Sequence, residues 1–275
     1  MTSIPTIGDK KWELVQKWAA SQEAILGQGL FDADAVDFFE RAGVTNSIAK
    51  QQENALVLGL KANSLWDPLA FCQIGRSAYN AGSGTVVHDL KDAAMNGAFT
   101  NSPAWGADGI VFTGNTQAVT TGRTQSMNSS WSAMVVMKNP TAAAGNQRIL
   151  GANGASTLLF RAAANPASTT IAQYDGSAVH GSTSSINVTS MSLLATTYSA
   201  ANLQRFYQGT TSLGATTGAN IAGTMNVQLN ASSGEGMNNA TMAVAMLFGS
   251  MELTAAQESI VHNLLKATIC SDLLP

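Results

Sequence analysis

Ser192-Leu193-Leu194-Ala195-Thr196-Thr197-Tyr198 and Leu203-Gln204-Arg205-Phe206-Tyr207-Gln208 are two short apolar-rich runs, separated only by Ser199 to Asn202. Each is strand length and rich in aromatic and β-branched residues. The same grammar, a short apolar run bounded by Gly, Asn or Ser, extends in both directions. Upstream it predicts strands over Thr85 to Leu90, Gly109 to Thr113, Trp131 to Lys138, Arg148 to Gly151, Thr157 to Ala162, Thr169 to Tyr174 and Ser185 to Thr189. Downstream it predicts Asn226 to Ala231 and Met242 to Phe248. So many short strands at fairly regular spacing imply a mainly β, jelly-roll-like sandwich. Thr254 then caps a closing helix through Ile260, Val261, Leu264 and Leu265.

Before about Arg76 the periodicity changes to helical spacing. Asp9 can cap a helix carrying Trp12, Val15, Trp18 and Ala19. Asp32 can cap a second bearing Val36, Phe39 and Glu40 and stopped by Gly43, and a third runs from Asn46 through Ile48, Ala55, Leu58 and Leu60 to Asn63. The expected organisation is therefore a helical packing or attachment segment over 1–75 and a sandwich with its terminal helix over 76–275. Three short helices do not enclose a core alone, so they are expected to pack on the sandwich or on another subunit.

Charge bounds the function. The 275 residues are only 11% charged, with a net charge of -3, against about 25% charged in an ordinary domain. Between Ser126 and Ser250 the only ionisable Lys, Arg, Asp and Glu residues are Lys138, Arg148, Arg161, Asp175, Arg205 and Glu235. A stretch this sparse predicts coverage by neighbouring subunits or a neutral polar face. No Lys/Arg cluster offers a footprint for nucleic acid. No apolar run reaches membrane-spanning length, and the N-terminus lacks the apolar core of a signal peptide, so the protein is expected to be made and assembled in the cytoplasm, or exported without such a signal. Cys72 and Cys270 are distant in sequence and are expected to be reduced, buried thiols.

Several segments in order resemble the concanavalin A-like, laminin-G-like domains. His88-Asp89-Leu90-Lys91-Asp92 followed by Trp105 and Asp108-Gly109-Ile110-Val111-Phe112-Thr113-Gly114 is similar to the family's opening. Leu193 to Ser199 with Leu203 to Gly209 resembles its central hairpin. Asn226 to Asn230, Met242 to Phe248 and Leu253 to Glu258 resemble its closing strands and helix start. The upstream stretches Phe38 to Asn46 and Glu53 to Trp66 are similar to the helical leader of such domains in bacteriophage proteins of tail-fibre or other virion type. The resemblance implies a structural, non-enzymatic component of a phage particle, located in the virion as a tail fibre, capsid decoration or other external part. Its implied partners are other virion proteins, further copies of itself and, in adsorption, host surface polysaccharide.

The chemistry-bearing residues fit that reading. A glycosidase of this architecture needs two carboxylates flanking one bond, about 5–9 Å apart, yet no strand carries two at alternate positions, and Asp89 and Asp92, the nearest pair, fall in a turn. A polysaccharide depolymerase is therefore the weaker alternative. His88, His180 and His262 are scattered, and no Ser, His, Asp set or Gly-x-Ser-x-Gly elbow occurs. No catalytic residue and no metal ligand is assigned, and no cofactor is expected. Were calcium held as in laminin-G relatives, Asp89, Asp92, Asp108 and Asp175 are the acids placed to do it. Trp105, Trp131, Tyr174, Tyr198 and Tyr207 could stack on sugar if exposed; Trp131, Tyr198 and Phe206, in strands, are expected between the sheets, and Trp105 and Tyr174, beside turns, are the fairer candidates. The Gly151 to Gly154 stretch joins two strands and is read as a hairpin. Asn128, Asn187, Asn230 and Asn239 begin glycosylation sequons that carry no meaning in a phage product.

Overall fold

The computed structural model describes residues 31–139, 147–151, 157–165, 168–174, 179–181, 184–199, 201–217, 224–230 and 236–275. The helix expected after Asp9 lies outside them. The described chain opens with α1 (Ala33–Ala42) and α2 (Ser47–Ala62). Asp32 caps α1 by accepting from the Asp34 N–H at 3.0 Å, and Gly43 closes it at φ 63°, a left-handed cap conformation that glycine adopts without strain. Asn46 caps α2 through the N–H groups of Ile48 and Ala49.

Fifteen strands follow: β1 (Leu69–Ile74), β2 (Val86–Val87), β3 (Gly97–Thr100), β4 (Ile110–Phe112), β5 (Ala118–Ser126), β6 (Trp131–Lys138), β7 (Gln147–Gly151) and β8 (Thr157–Asn165), then β9 (Ser168–Tyr174), β10 (Val179–Gly181), β11 (Ser192–Tyr198), β12 (Leu203–Gln208), β13 (Thr211–Thr217), β14 (Thr224–Leu229) and β15 (Ala240–Phe248). They form two sheets. One runs β1-β15-β6-β11-β12-β13 with β4 also on β15, and the other runs β10-β9-β8-β7-β14-β5-β3-β2. The last helix is α3 (Ala255–Ala267), closed at its start by a capping box between Thr254 and Gln257.

Alternation along the strands creates two apolar layers. Trp131, Ala133, Val135 and Met137 of β6 point between the sheets with Leu194, Tyr198, Phe206, Val227 and Leu247. Met134 and Val136, on the opposite face, join Cys72, Leu193, Ala195, Val244, Met246 and Phe248 against Phe38, Leu56, Leu60, Val261 and Leu265 of the three helices. The molecule is thus a mainly β sandwich whose first sheet carries helices on its outer face. Arg76 fastens the C-terminal tail to this assembly: its guanidinium takes both carboxylate oxygens of Asp272 at 2.8 and 2.7 Å and lies 5.0 Å from the Tyr79 ring.

Several expectations are corrected. The helical reading up to Gly75 ends at Ala62, because Leu69–Ile74 pairs antiparallel with β15 inside the first sheet. Alternation was hidden there: β1 is buried on both faces, so it reads as a continuous apolar run. On α1 the buried face is Ala35, Phe38, Phe39 and Ala42, whereas Val36 and Glu40 are exposed. Ser185 to Thr189 forms no strand, although Ile186 and Val188 are buried and the Val188 carbonyl accepts from Asn139. The strand expected over Thr85 to Leu90 shrinks to Val86–Val87. Beyond β1, the unforeseen β3, β5, β10 and β13 are Gly- and Thr-rich with few large apolar residues, so their weak periodicity gave no signal.

Both thiols are free and buried. Burial pushes the Cys72 thiol well above its ordinary range and the Cys270 thiol up to about 12. Since the thiolate is the reactive form, native protein is expected to react with a disulfide reagent at least about a thousandfold more slowly than protein in denaturant. Titration of both thiols within minutes under native conditions would contradict this.

Candidate functional site

The acids that a calcium ion would have needed are placed apart or already engaged where they are described. Asp89 is fully buried and works as a knot: its carboxylate accepts from the main-chain N–H groups of Cys72 (2.7 Å), Asp92 (2.8 Å) and Lys91 (2.9 Å). Its own N–H donates to Asn96 and its carbonyl accepts from Arg41 of α1. Burial nevertheless pushes its carboxyl up to about 6, against the pull of the three donors and Arg41. Asp92 caps a short 3-10 turn over Ala93–Met95 through the Ala94 N–H. Asp108 is paired with Lys138 at 2.7 Å, and Asp175 lies outside the described residues. The cation in this loop is Lys91, whose ammonium donates to the carbonyls of Trp66, Asp67 and Leu69 at 2.8–3.0 Å. Among the described residues no cluster of His, Cys, Asp and Glu could hold a metal ion.

The histidines stay apart. His88 has its backbone clamped by the Asn80 side chain, His180 is in β10, and His262 is on α3. Burial lowers the pKa of both His88 and His262. Of the aromatics, Trp131 and Tyr198 stack on each other inside the sandwich, with centroids 5.7 Å apart. Phe206 lies in the same layer, and Tyr207 is buried on the helix side. Trp131, Tyr198 and Phe206 are closed to any sugar, whereas Tyr207, though buried, lines a cleft at the start of α3. Trp105 is half-buried, leans on Phe99 at 5.4 Å and donates its indole N–H to the Gly84 carbonyl. The Tyr174 side chain lies outside the described residues.

What sequence reasoning missed is the outer face of the second sheet. Register sets Thr120 of β5 opposite Ala98 of β3 on one side and Gln228 of β14 on the other. Their side chains therefore share a face with Thr100, while Val119, Val227 and Leu229 point inward. Thr100 and Thr120 hydroxyls lie 3.2 Å apart, the Gln228 amide donates to the Thr120 hydroxyl at 3.2 Å, and the Thr124 hydroxyl donates to Asn226 Oδ1 at 2.9 Å. Thr124, Thr224 and Asn226 are exposed and the others half-buried. This is a row of neutral hydroxyls and amides with no ionisable side chain. The signal was present as polar residues alternating with apolar ones in Met225-Asn226-Val227-Gln228-Leu229, but it reads equally as a solvated strand face.

Clefts lie elsewhere among the described residues. One, of about 370 Å³, is lined by Asp34, Lys61, Ser64, Trp66 and Asp67. Its charges are internally matched, since Lys61 bridges Asp32 and Asp34 at 2.6 Å each and sits 5.6 Å from the Trp66 ring. The other, of about 290 Å³, lies at the start of α3 between Arg205, Tyr207, Glu252 and Thr254, where Arg205 and Glu252 pair with each other.

No protein-family model matches this sequence, and no curated protein does. Solved structures share the fold. Trypanosoma rangeli sialidase with 2,3-difluorosialic acid superposes with a TM-score of 0.58 at 14% identity, over 81% of this chain and 38% of that one. A mutant of the same sialidase displaying trans-sialidase activity gives 0.57 at 13%, over 80% and 39%. The binding domain of botulinum neurotoxin serotype D gives 0.50 at 8%, over 71% and 51%. The chain spans well under half the length of the sialidases and about half of the neurotoxin chain, and the likeness establishes the β-sandwich alone.

Proposed function

We propose that this chain is a non-enzymatic, glycan-binding β-sandwich on the exterior of a bacteriophage particle, reading neutral surface polysaccharide of the host. The observation that carries the binding half is the uncharged row Thr100, Thr120, Thr124, Asn226 and Gln228. Hydroxyl and carboxamide groups both donate and accept, which is the complement of sugar hydroxyls, and the lack of ionisable groups disfavours a charged ligand. Fold likeness to a sialidase and to a toxin binding domain fits this reading. The particle half rests on the resemblance of residues 38–66 to phage leaders and on the charge-poor stretch from Ser126 to Ser250. The absence of catalysis is argued from the acids near the strands: Asp89 and Asp92 hold backbone, and Asp108 holds Lys138.

Host surface polysaccharides presented to the multivalent full chain test the binding half. Binding to at least one neutral glycan is expected, weakened about tenfold by Asn226→Ala and about a hundredfold by Asn226→Ala with Gln228→Ala, at roughly one hydrogen bond of 1.4 kcal/mol per step. Both sites lie on the surface, so the melting temperature should move by no more than about 2 °C. No binding at high avidity would remove the glycan reading. Release of oligosaccharide would remove the non-enzymatic one, and absence of the chain's peptides from purified particles would remove the virion one.

A further inference from the structure

The neutral row on the second sheet has a direction that its hydroxyls alone do not show. Register places Val86 of β2 opposite Ala98 of β3, Ala98 opposite Thr120 of β5, and Thr120 opposite Gln228 of β14. Directly paired residues of antiparallel strands share a face, so these four side chains form one transverse line across the outer surface. The open line ends at Gln228, because the next position is Gly151 of β7, a strand buried along its whole length. At about 4.8 Å per strand the line is roughly 14 Å long, the span of a short oligosaccharide. Its chemistry changes along that length, from a carboxamide and a hydroxyl at the β14 end to two aliphatic side chains at the β2 end.

The β2 end is open to solvent. Val86 is 40% exposed, and Ala98 is exposed beside it. The other exposed large hydrophobic residues among the described ones, Val36, Ile48 and Leu58, all lie on α1 and α2. A single exposed valine is ordinary, but an edge strand is usually guarded by charge or proline. β2 offers Val86 instead, and no member of the line is ionisable. Val87 points into the core, so the alternation that buries it turns Val86 outward.

Polar contacts also run across the strands. Thr120 meets Thr100 of β3 and Gln228 of β14 at 3.2 Å each, whereas along β5 a bulge separates Thr120 from Thr124. A ligand is thus met from strand to strand, with hydrogen-bonding groups at one end and an apolar platform at the other.

We propose that the site takes its neutral glycan transversely, the chain crossing from β14 to β2, with a methyl-bearing sugar unit, 6-deoxy or N-acetylated, seated on Val86 and Ala98. This rests on the glycan reading and adds which glycan is chosen. A sugar methyl seated on these side chains leaves water, and a buried group of that size is worth about fourfold in affinity. An unsubstituted hexose brings a hydroxyl to the same place, where neither side chain can bond it.

Titration of the multivalent full chain with matched trisaccharides tests this: 6-deoxymannose against mannose, and N-acetylglucosamine against glucose. The methyl-bearing member of at least one pair is expected to bind at least about fourfold more tightly, and the pair that shows the difference separates the deoxy from the acetyl source. Val86→Ser should remove that preference while leaving the unsubstituted member within about twofold. Val86→Thr, which keeps the β-branched shape, should act in the same direction at an unchanged melting temperature, so that a loss through unfolding is told apart. Gln228→Ala should weaken both members of a pair alike. Glycan binding that depends on Gln228 while the members of both pairs behave alike, or a preference that survives Val86→Ser, overturns this proposal and leaves the glycan reading standing. No binding of any neutral glycan removes both.

Discussion

Asp89→Ala lowers the unfolding free energy by about 3–5 kcal/mol, measured by urea denaturation. The substitution removes one carboxylate and leaves three main-chain donors, on Cys72, Lys91 and Asp92, without their acceptor. The Cys72 bond is buried and the other two are partly so, and an orphaned buried donor costs about 1–3 kcal/mol. The sum is tempered because Asp89 itself is costly to hold as an anion, as its raised proton affinity shows. Position matters as much as count. Asp89 forms an isolated bridge with Gln73 of β1, and its carbonyl takes the Arg41 guanidinium from α1, so one residue ties the helices, the first sheet and the turn before β3 together. Asp89→Asn keeps the shape but points an amide at one of the donors, so a loss of about 2 kcal/mol is expected. A loss below about 1 kcal/mol for the alanine variant would show that the turn rearranges to satisfy its own donors.

That knot marks where sequence stops informing structure. The Asp-rich turn was visible as His88 to Asp92, and its resemblance to a laminin-G opening named its acids as ligands only for the case that calcium were held. Only coordinates show that Lys91 takes three carbonyls there and that the Asp89 oxygens are saturated by N–H groups. The strands with strong apolar content, β6, β11 and β12, were legible to the residue. β6 carries five Val, Met or aromatic residues in eight, and β11 and β12 each carry three Leu or aromatic residues bounded by Ser, Asn or Gly. β5, reading Ala-Val-Thr-Thr-Gly-Arg-Thr-Gln-Ser, was not, because a bulge near its centre and the Gly-Arg pair break the alternation. The neutral face escaped for a related reason: Thr, Asn and Gln pointing outward look like solvation until register aligns them across three strands. On α2 apolar residues encircle the helix, so periodicity grouped Ile48, Ala55 and Leu58, which are exposed, with Leu60, which is buried.

Between pH 6.5 and 9 the protein loses about 3 kcal/mol of stability, and Glu53→Gln abolishes most of that loss. Glu53 is fully buried on α2 and neither carboxylate oxygen has a hydrogen-bond partner among the described residues. Burial pushes its pKa up to about 9, with Lys50 pulling weakly the other way. The folded state thus holds a proton that the unfolded chain, with an ordinary carboxyl near 4.5, has released. A group whose folded pKa is raised contributes stability that is complete below the unfolded value and is lost as pH climbs through the folded one. One proton over 2.5 pH units corresponds to about 3 kcal/mol, or about 5–10 °C in melting temperature for a chain of this size. Glu258 on α3 acts with the same sign, but its pKa of about 7 ends its effect earlier. His88 and His262 oppose both, since their lowered pKa values make folding more favourable as pH rises toward 6.5, and they are silent above it. The two buried thiols add to the loss only near pH 9 and beyond. Glu53 therefore dominates the interval from 7 to 9. Its carboxamide variant, of the same shape and unable to ionise, should melt at nearly one temperature across that interval, while Glu258→Gln should change the curve only below about pH 7. A wild-type melting temperature flat from pH 6.5 to 9, or a slope surviving in Glu53→Gln, would mean that the helix layer opens enough to hydrate the carboxylate. In that event the contact between α2 and the first sheet would be looser than Leu56, Val57 and Leu60, all fully buried, make it.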